Sequence, residues 1–406
     1  ASLSLVARSA ALQEIGGEVA HNSQFLSPVA RLMSWSWHFL FLSLSFVGAL
    51  RPAIPSPQEL FDQYHKAYLE RRQNKGQRDA GRRALEHSFA LRPDWHRVDA
   101  RLLTSEAVNL VLSDFEDPGC EMRQQVEVIR EALLLLQYTP QSVQERLGVP
   151  ESRMRMPGPF FMKRSITHQN GIQVGDIEDP LDLAIQLFLL GFAVPRSQVE
   201  EYLSGTALAA MEALHLVEAG RMGIDGEVAM IQSMVQIFPM DCNVMHSTSP
   251  NNMLIVTDFP PPHSISLTEE PVMYIGVDSI GLVQHAPRPQ AQHVLDLCTG
   301  SGIQGIVAAL TYPSHVTCVD ISPRAVRFAR FNAALNCVGD RLDVREGDLY
   351  EVLGPEERFD VVLANPPFVP CPSTVNTRGR YDVFASGGTS GESILQVCYL
   401  FTHLHR

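Results

Sequence analysis

Positive charge is what this sequence is short of. Its 406 residues carry 45 Asp and Glu against 32 Lys and Arg, a net charge of -13 at pH 7. Phosphate binding needs a basic surface, so a general nucleic-acid coating protein is excluded, while a basic patch on one domain is not. Cysteine chemistry is sparse too. The 7 cysteines, Cys120, Cys242, Cys298, Cys318, Cys337, Cys371 and Cys398, are odd in number and form no CxxC pair. That argues against a disulfide scaffold or a zinc site and for a reducing compartment, the cytoplasm or an organelle such as a plastid or mitochondrion. The nearest approach to a ligand cluster is Asp241, Cys242 and His246, and no metal is expected there. The first 55 residues read as a leader. Within them the apolar run Leu32–Leu50 has the length of a membrane span, but four serines and His38 interrupt it. Membrane association is not expected; an organelle-targeting presequence or a non-structural leader are the other readings. The sequence begins with Ala1 rather than Met, so residues upstream are expected.

What is present is globular in character. At 45% hydrophobic and 19% charged, the chain has material for two or three domains. Residues 56–250 read as mainly helical. Ser56, Pro57 and Glu59 form a helix start, and Arg71 to Arg83 make a basic run best read as a solvated helix face. Helical spacing recurs over 124–148 with a break at Thr139-Pro140, and again over 179–203 with a break at Pro195. A further helix is predicted from Thr206 to Gly220, followed by strand character over 226–241. Helices followed by a strand pair suit a winged-helix unit or a small helical domain on the substrate side.

From residue 251 the pattern changes. Strands at 251–258, 291–297, 315–321, 341–348 and 358–365 alternate, from 290 onward, with helices at 303–310 and 322–336. Such alternation predicts a parallel, doubly wound α/β sheet over 251–406, whose ligands bind at the carboxyl ends of its strands. Four motifs fall at those ends. Asp296 opens "DLCTGSGIQG", where Gly300 and Gly302 allow a tight turn and close backbone approach to a ligand. Asp320 follows the next strand, placed to accept ribose hydroxyls. These two suit NAD and S-adenosylmethionine equally. Asp348 follows the third, as an acceptor for an adenine amino group or as a turn cap. The fourth strand runs into Asn365-Pro366-Pro367-Phe368, either a strand-ending turn or a rigid clamp for a flat, nitrogen-bearing substrate.

In this order the motifs resemble class I S-adenosylmethionine-dependent methyltransferases over about residues 270–400. More narrowly they resemble the amino-methylating branch, with its HemK-like release-factor glutamine methyltransferases and "small domain" rRNA guanine methyltransferases. "RYDVFASGGTSGESIL" is similar to a glycine-rich segment of the glutamine enzymes. "LAIQLFLLGFAVP" and "YIGVDSIG" are more loosely similar to methyltransferases with a helical N-terminal domain. The resemblance implies a Rossmann-like methyltransferase sheet and S-adenosylmethionine held by Asp296, Cys298, Thr299, Gly300, Ser301, Gly302, Asp320, Ile321, Asp348, Leu349 and Asn365. It implies transfer to an amide or amino nitrogen gripped by Asn365, Pro366, Pro367 and Phe368. The acceptor is then a glutamine in a protein, or a base in RNA or DNA.

The sequence departs from the family at Cys298, where glycine or another small residue is usual and the change is tolerable, and in offering four of the family's seven strands. The expectation is a fourth strand left as a bare edge, with poor stability and weak turnover. A non-catalytic cofactor-binding scaffold is the second reading. An NAD-dependent oxidoreductase is the third, and it leaves Asn365–Phe368 without a role.

Overall fold

The computed structural model describes residues 105–113, 115, 120–147, 177–222, 228–241, 252–259, 271–286, 291–311, 315–370 and 382–402. The leader, the helices expected before residue 105 and the basic run Arg71–Arg83 lie outside them, as do Cys242 and His246. No helix among the described residues is long and apolar enough to cross a membrane.

Helices come first: α1 (Ser105–Leu110), α2 (Cys120–Leu135), α3 (Pro140–Leu147) and α4 (Pro180–Ala184), which runs into a π-helical turn at Ile185–Leu189. The break at Thr139-Pro140 has a local cause. The Thr139 hydroxyl accepts the Ser142 N–H at 3.1 Å, capping a helix that Pro140 can begin but not continue into. There follow β1 (Val194–Pro195), α5 (Arg196–Tyr202), α6 (Gly205–Ala213), β2 (Val217–Met222) and β3 (Val228–Ser233). The three strands form an antiparallel sheet in the order β1-β3-β2. Pro195 is tolerated because β1 lies at the edge. A strand, two helices and a hairpin in this sheet order make the winged-helix arrangement.

One expectation needs correction. The helix predicted to reach Gly220 stops at Ala213. His215 turns the chain at φ 53°, and residues 217–222 are the strand β2, paired residue for residue with β3 from Val217↔Ser233 to Met222↔Val228. Tertiary pairing has overridden the helical preference of "LVEAG".

The hairpin of β4 (Gln236–Asp241) and β5 (Asn252–Thr257) leads to α7 (Val277–His285). Then come β6 (His293–Leu297), α8 (Ile303–Thr311), β7 (His315–Asp320), α9 (Pro323–Leu335), β8 (Leu342–Glu346), β9 (Val361–Ala364), α10 (Asp382–Ala385) and α11 (Ser393–Phe401). Strands β6 to β9 form a parallel sheet in the order β8-β7-β6-β9, the expected doubly wound start. Order β8-β7-β6-β9 places the switch point between β6 and β9, where such sheets take ligands.

One apolar core joins the helices to the sheet. Phe115 packs edge-to-face on Phe331 of α9, centroids 5.4 Å apart. Helix α9 also seals the free side of β5. Asn336 exchanges two hydrogen bonds with the Leu254 backbone (3.1 and 2.8 Å), and Asn332 two with the Val256 backbone (2.8 and 2.9 Å). One helical turn, about 5.4 Å, roughly matches the ~6.8 Å between alternate strand residues. Two side-chain amides therefore stand in for a neighbouring strand. Asn332 Nδ2 also donates to the Ser301 carbonyl at 2.8 Å, linking this latch to the glycine loop.

Candidate active site

Asp296 lies one residue before the end of β6, with 0% exposure. Its Oδ2 accepts the Thr299 hydroxyl at 2.5 Å and the Gly305 N–H at 3.0 Å, while Oδ1 has no partner among the described residues. The carboxylate thus holds the glycine loop from beneath. Burial pushes Asp296 up to about 7, against the two hydrogen bonds that lower it, and nearby Asp320 adds to the rise.

A carboxyl raised in the fold stabilises it fully below its unfolded value and loses that contribution as pH rises through the folded one. The Asp296 contribution is therefore expected to fall between pH ~4 and ~7, by up to ~1.4 kcal/mol per unit. Urea unfolding of the wild type and Asp296→Asn across that range checks it. The difference between their stabilities should shrink or change sign in favour of the variant as pH rises; parallel profiles would refute it.

The loop itself needs left-handed backbone at three places: Cys298 (φ 55°), Gly300 (φ 55°) and Gly302 (φ 82°). At Cys298 this backbone strains a side chain that glycine would not have. A hydrogen bond to Cys398, then burial, push the Cys298 thiol up, so it stays protonated and is a poor nucleophile. Gly302 lets the loop lie on α9, since a Cβ there would meet Ala329 at 3.1 Å. Gly300 differs: a Cβ there would meet nothing within 4 Å, so the outer face of the loop is open to a ligand. Thr299 and Ser301 are buried, at 4% and 3% exposure; Thr299 bonds to Asp296 beneath the loop and the Ser301 carbonyl to Asn332 of α9.

Asp320, ending β7, accepts the Gly300 N–H at 2.8 Å and the Ser322 N–H at 3.0 Å, one on each oxygen. Asp320 is thereby held against the glycine loop at a strand end, where a carboxylate can accept ribose hydroxyls. Ile321 beside it is 62% exposed, an apolar surface next to that carboxylate. Asp348 is exposed after β8, and its carboxylate makes no hydrogen bond among the described residues, so the turn-capping role is not seen. Leu349 follows at φ 48° and is half-buried. An open loop, a ribose-competent carboxylate, an apolar flank and a free acid on adjacent strand ends fit the adenosine end of S-adenosylmethionine.

The Asn365–Phe368 turn leaves β9. Asn365 Nδ2 donates to Asp278 Oδ2 at 2.9 Å. Pro366 is buried, Pro367 half-buried, and Phe368 is 39% exposed. The glycine-rich segment braces this turn. Val369 N–H donates to the Ala385 carbonyl at 2.7 Å, and Gly387 N–H to the Val369 carbonyl at 2.9 Å. Gly391 (φ 82°) sits so close that a Cβ would strike the Phe368 carbonyl. Register brings the two halves of the site together: Leu297 of β6 pairs with Ala364 of β9, so the glycine loop and the turn start side by side, about 5 Å apart.

Sequence reasoning gave no role to Asp278, Asp258 or Gln304. The signal for Asp278 was an acid just inside the α7 start in "YIGVDSIG". Among the described residues no three side chains are grouped to hold a metal.

The family model for the methyltransferase small domain matches residues 276–377. A ribosomal protein uL3 glutamine methyltransferase of Bordetella pertussis is 44% identical over 81 residues, 20% of this chain and 27% of that protein. A release factor glutamine methyltransferase of Rhodopirellula baltica is 37% identical over 95 residues, 23% and 31% of the two chains. A tRNA1(Val) (adenine(37)-N6)-methyltransferase of Vibrio parahaemolyticus is 28% identical over 128 residues, 31% and 53%. The chain spans about a quarter to a half of the length of these relatives. Over the segment that carries the glycine loop, Asp320, Asp348 and the Asn365–Phe368 turn, it is similar to class I S-adenosylmethionine-dependent N-methyltransferases of the HemK-like branch.

Proposed function

We propose that this protein methylates an amide or amino nitrogen, with a glutamine side chain of another protein as the acceptor. The observation that carries it is the register of β6 and β9, which sets the open glycine loop beside the Asn365–Phe368 turn. When bound, S-adenosylmethionine supplies an electrophilic methyl group. The chain supplies the grip on the nucleophile. An amide nitrogen is a poor nucleophile because its lone pair is delocalised. Asn365 Oδ1 and the Pro366 carbonyl are acceptors that can take its two hydrogens, fix its direction and favour positive charge developing on it. The prolines hold those acceptors in place, and exposed Phe368 offers a face to a flat group.

A protein acceptor is favoured over nucleic acid by the chain's cations. Lys66, Lys75 and Lys163 are the only lysines of a sequence whose net charge is -13. In the winged-helix unit, Arg196 of α5 is paired with Glu200 and Glu212 (2.7 and 3.0 Å), and α6 itself carries no Lys or Arg. The glycine-rich brace and two of the three relatives above point the same way.

The test is calorimetric titration of the protein with S-adenosylhomocysteine, then labelled-methyl transfer to a glutamine-bearing protein and to tRNA. Micromolar binding and label on glutamine are expected. A folded protein that does not bind would overturn the cofactor reading. Label on a tRNA amino group would replace the glutamine acceptor with a base.

A further inference from the structure

Resting on that reading, we infer that Asp278 is a positioning residue, which locks the Asn365 amide with its oxygen turned toward the acceptor nitrogen. The argument is one of donors and acceptors. A carboxylate offers only acceptors, so the 2.9 Å contact must be made by the Asn365 Nδ2. The reversed amide would set oxygen against oxygen. Chemistry, and not the assignment of two similar atoms, decides which way the amide points. Asn365 Oδ1 is then the free end, with no hydrogen bond among the described residues. The carboxylate also pulls on the amide N–H and so strengthens Oδ1 as an acceptor.

Asp278 is itself held firmly. It is 6% exposed, in the first turn of α7, where the helix N-terminus favours negative charge. Gly276 makes room for it, since a Cβ at 276 would run into Asp278 Oδ1. Helix α7 is tied to the glycine loop through α8: Gln304 Nε2, buried, donates to the Ser279 carbonyl at 2.9 Å. The residue that aims the clamp is therefore anchored to the element that follows the cofactor loop. Asp278 acts only through Asn365.

The test is Asp278→Asn, nearly the same shape but able to pair with either end of the Asn365 amide, alone and combined with Asn365→Ala in the full chain. Asp278→Asn should lower kcat about 10–100-fold and leave S-adenosylhomocysteine affinity within about 3-fold. It should add nothing to the loss already caused by Asn365→Ala. An unchanged kcat, or losses that multiply in the double variant, would overturn the inference. Side-chain amide resonances of Asn365 give a readout independent of any acceptor: they should move on Asp278→Asn, and resonances that stay put would also overturn it. A wild type that binds S-adenosylhomocysteine but methylates nothing counts against the methyl-transfer reading, while the amide resonances still judge the lock.

Discussion

Asn365→Ala is expected to cost about 10²–10³-fold in kcat with S-adenosylhomocysteine affinity changed by only a few-fold. Asn365 starts the turn after β9, half-buried, with its nitrogen spent on Asp278. Truncation removes one of two preorganised acceptors at the place where charge develops. The Pro366 carbonyl survives, so some transfer should remain. The other residues proposed to hold the cofactor, Gly300, Asp320 and Asp348, lie at neighbouring strand ends, and none of their hydrogen bonds among the described residues involves the Asn365 amide. Single-turnover transfer beside calorimetric titration separates the two quantities. Normal turnover by Asn365→Ala would return the Asn-Pro-Pro-Phe stretch to a plain strand-ending turn. A parallel loss of cofactor affinity would place Asn365 in the cofactor pocket instead.

Asp258→Ala should be the most destabilising single change, at about 3–5 kcal/mol. Asp258, just after β5, is 1% exposed and grips Arg324 with both oxygens, at 2.7 and 3.1 Å. It also accepts the Val272 N–H at 2.7 Å, fixing the segment that leads to α7. Arg324 lies in the first turn of α9, the end of a helix that disfavours positive charge. Besides Asp258, its compensation among the described residues is the Phe328 ring, 4.9 Å from the guanidinium carbon. Removing the carboxylate leaves a buried cation beside positive helix dipoles. Replacing both partners, Asp258→Leu with Arg324→Met, should recover much of the loss, because the second desolvated charge goes too. Urea unfolding of the two variants measures this. A single-variant loss under about 1 kcal/mol would show that water reaches the pair.

The α/β part of the fold was legible because its signals are local. Strands β6, β7 and β9 are short runs rich in apolar residues, β8 (LDVRE) alternates apolar and charged ones, Ser322 and Pro323 announce α9, and each chemical motif sits at a strand end. The glycine loop and the Asn365 turn could be named before their distance was known. Register then supplied what spacing cannot, that Leu297 and Ala364 are partners. The failures are non-local. Residues 217–222 carry helix-forming types but become strand because β3 is there to pair with them. Asp278 is 87 positions from Asn365, and Asn332 is 76 from Val256; nothing near either residue advertises its partner. Cys298 was read as a tolerable exception, and only its φ shows what the exception costs.

The boundary drawn between residues 250 and 251 passes between β4 and β5, which pair along six residues. On its other side β5 is gripped by Asn332 and Asn336. Severing the backbone there would not separate the helical half from the sheet. The pieces would stay clasped through a shared strand, and because Asn332 also holds Ser301, slack in that clasp would be felt in the cofactor loop. An exchange of the segment before β5 for another would have to bring a matching β4.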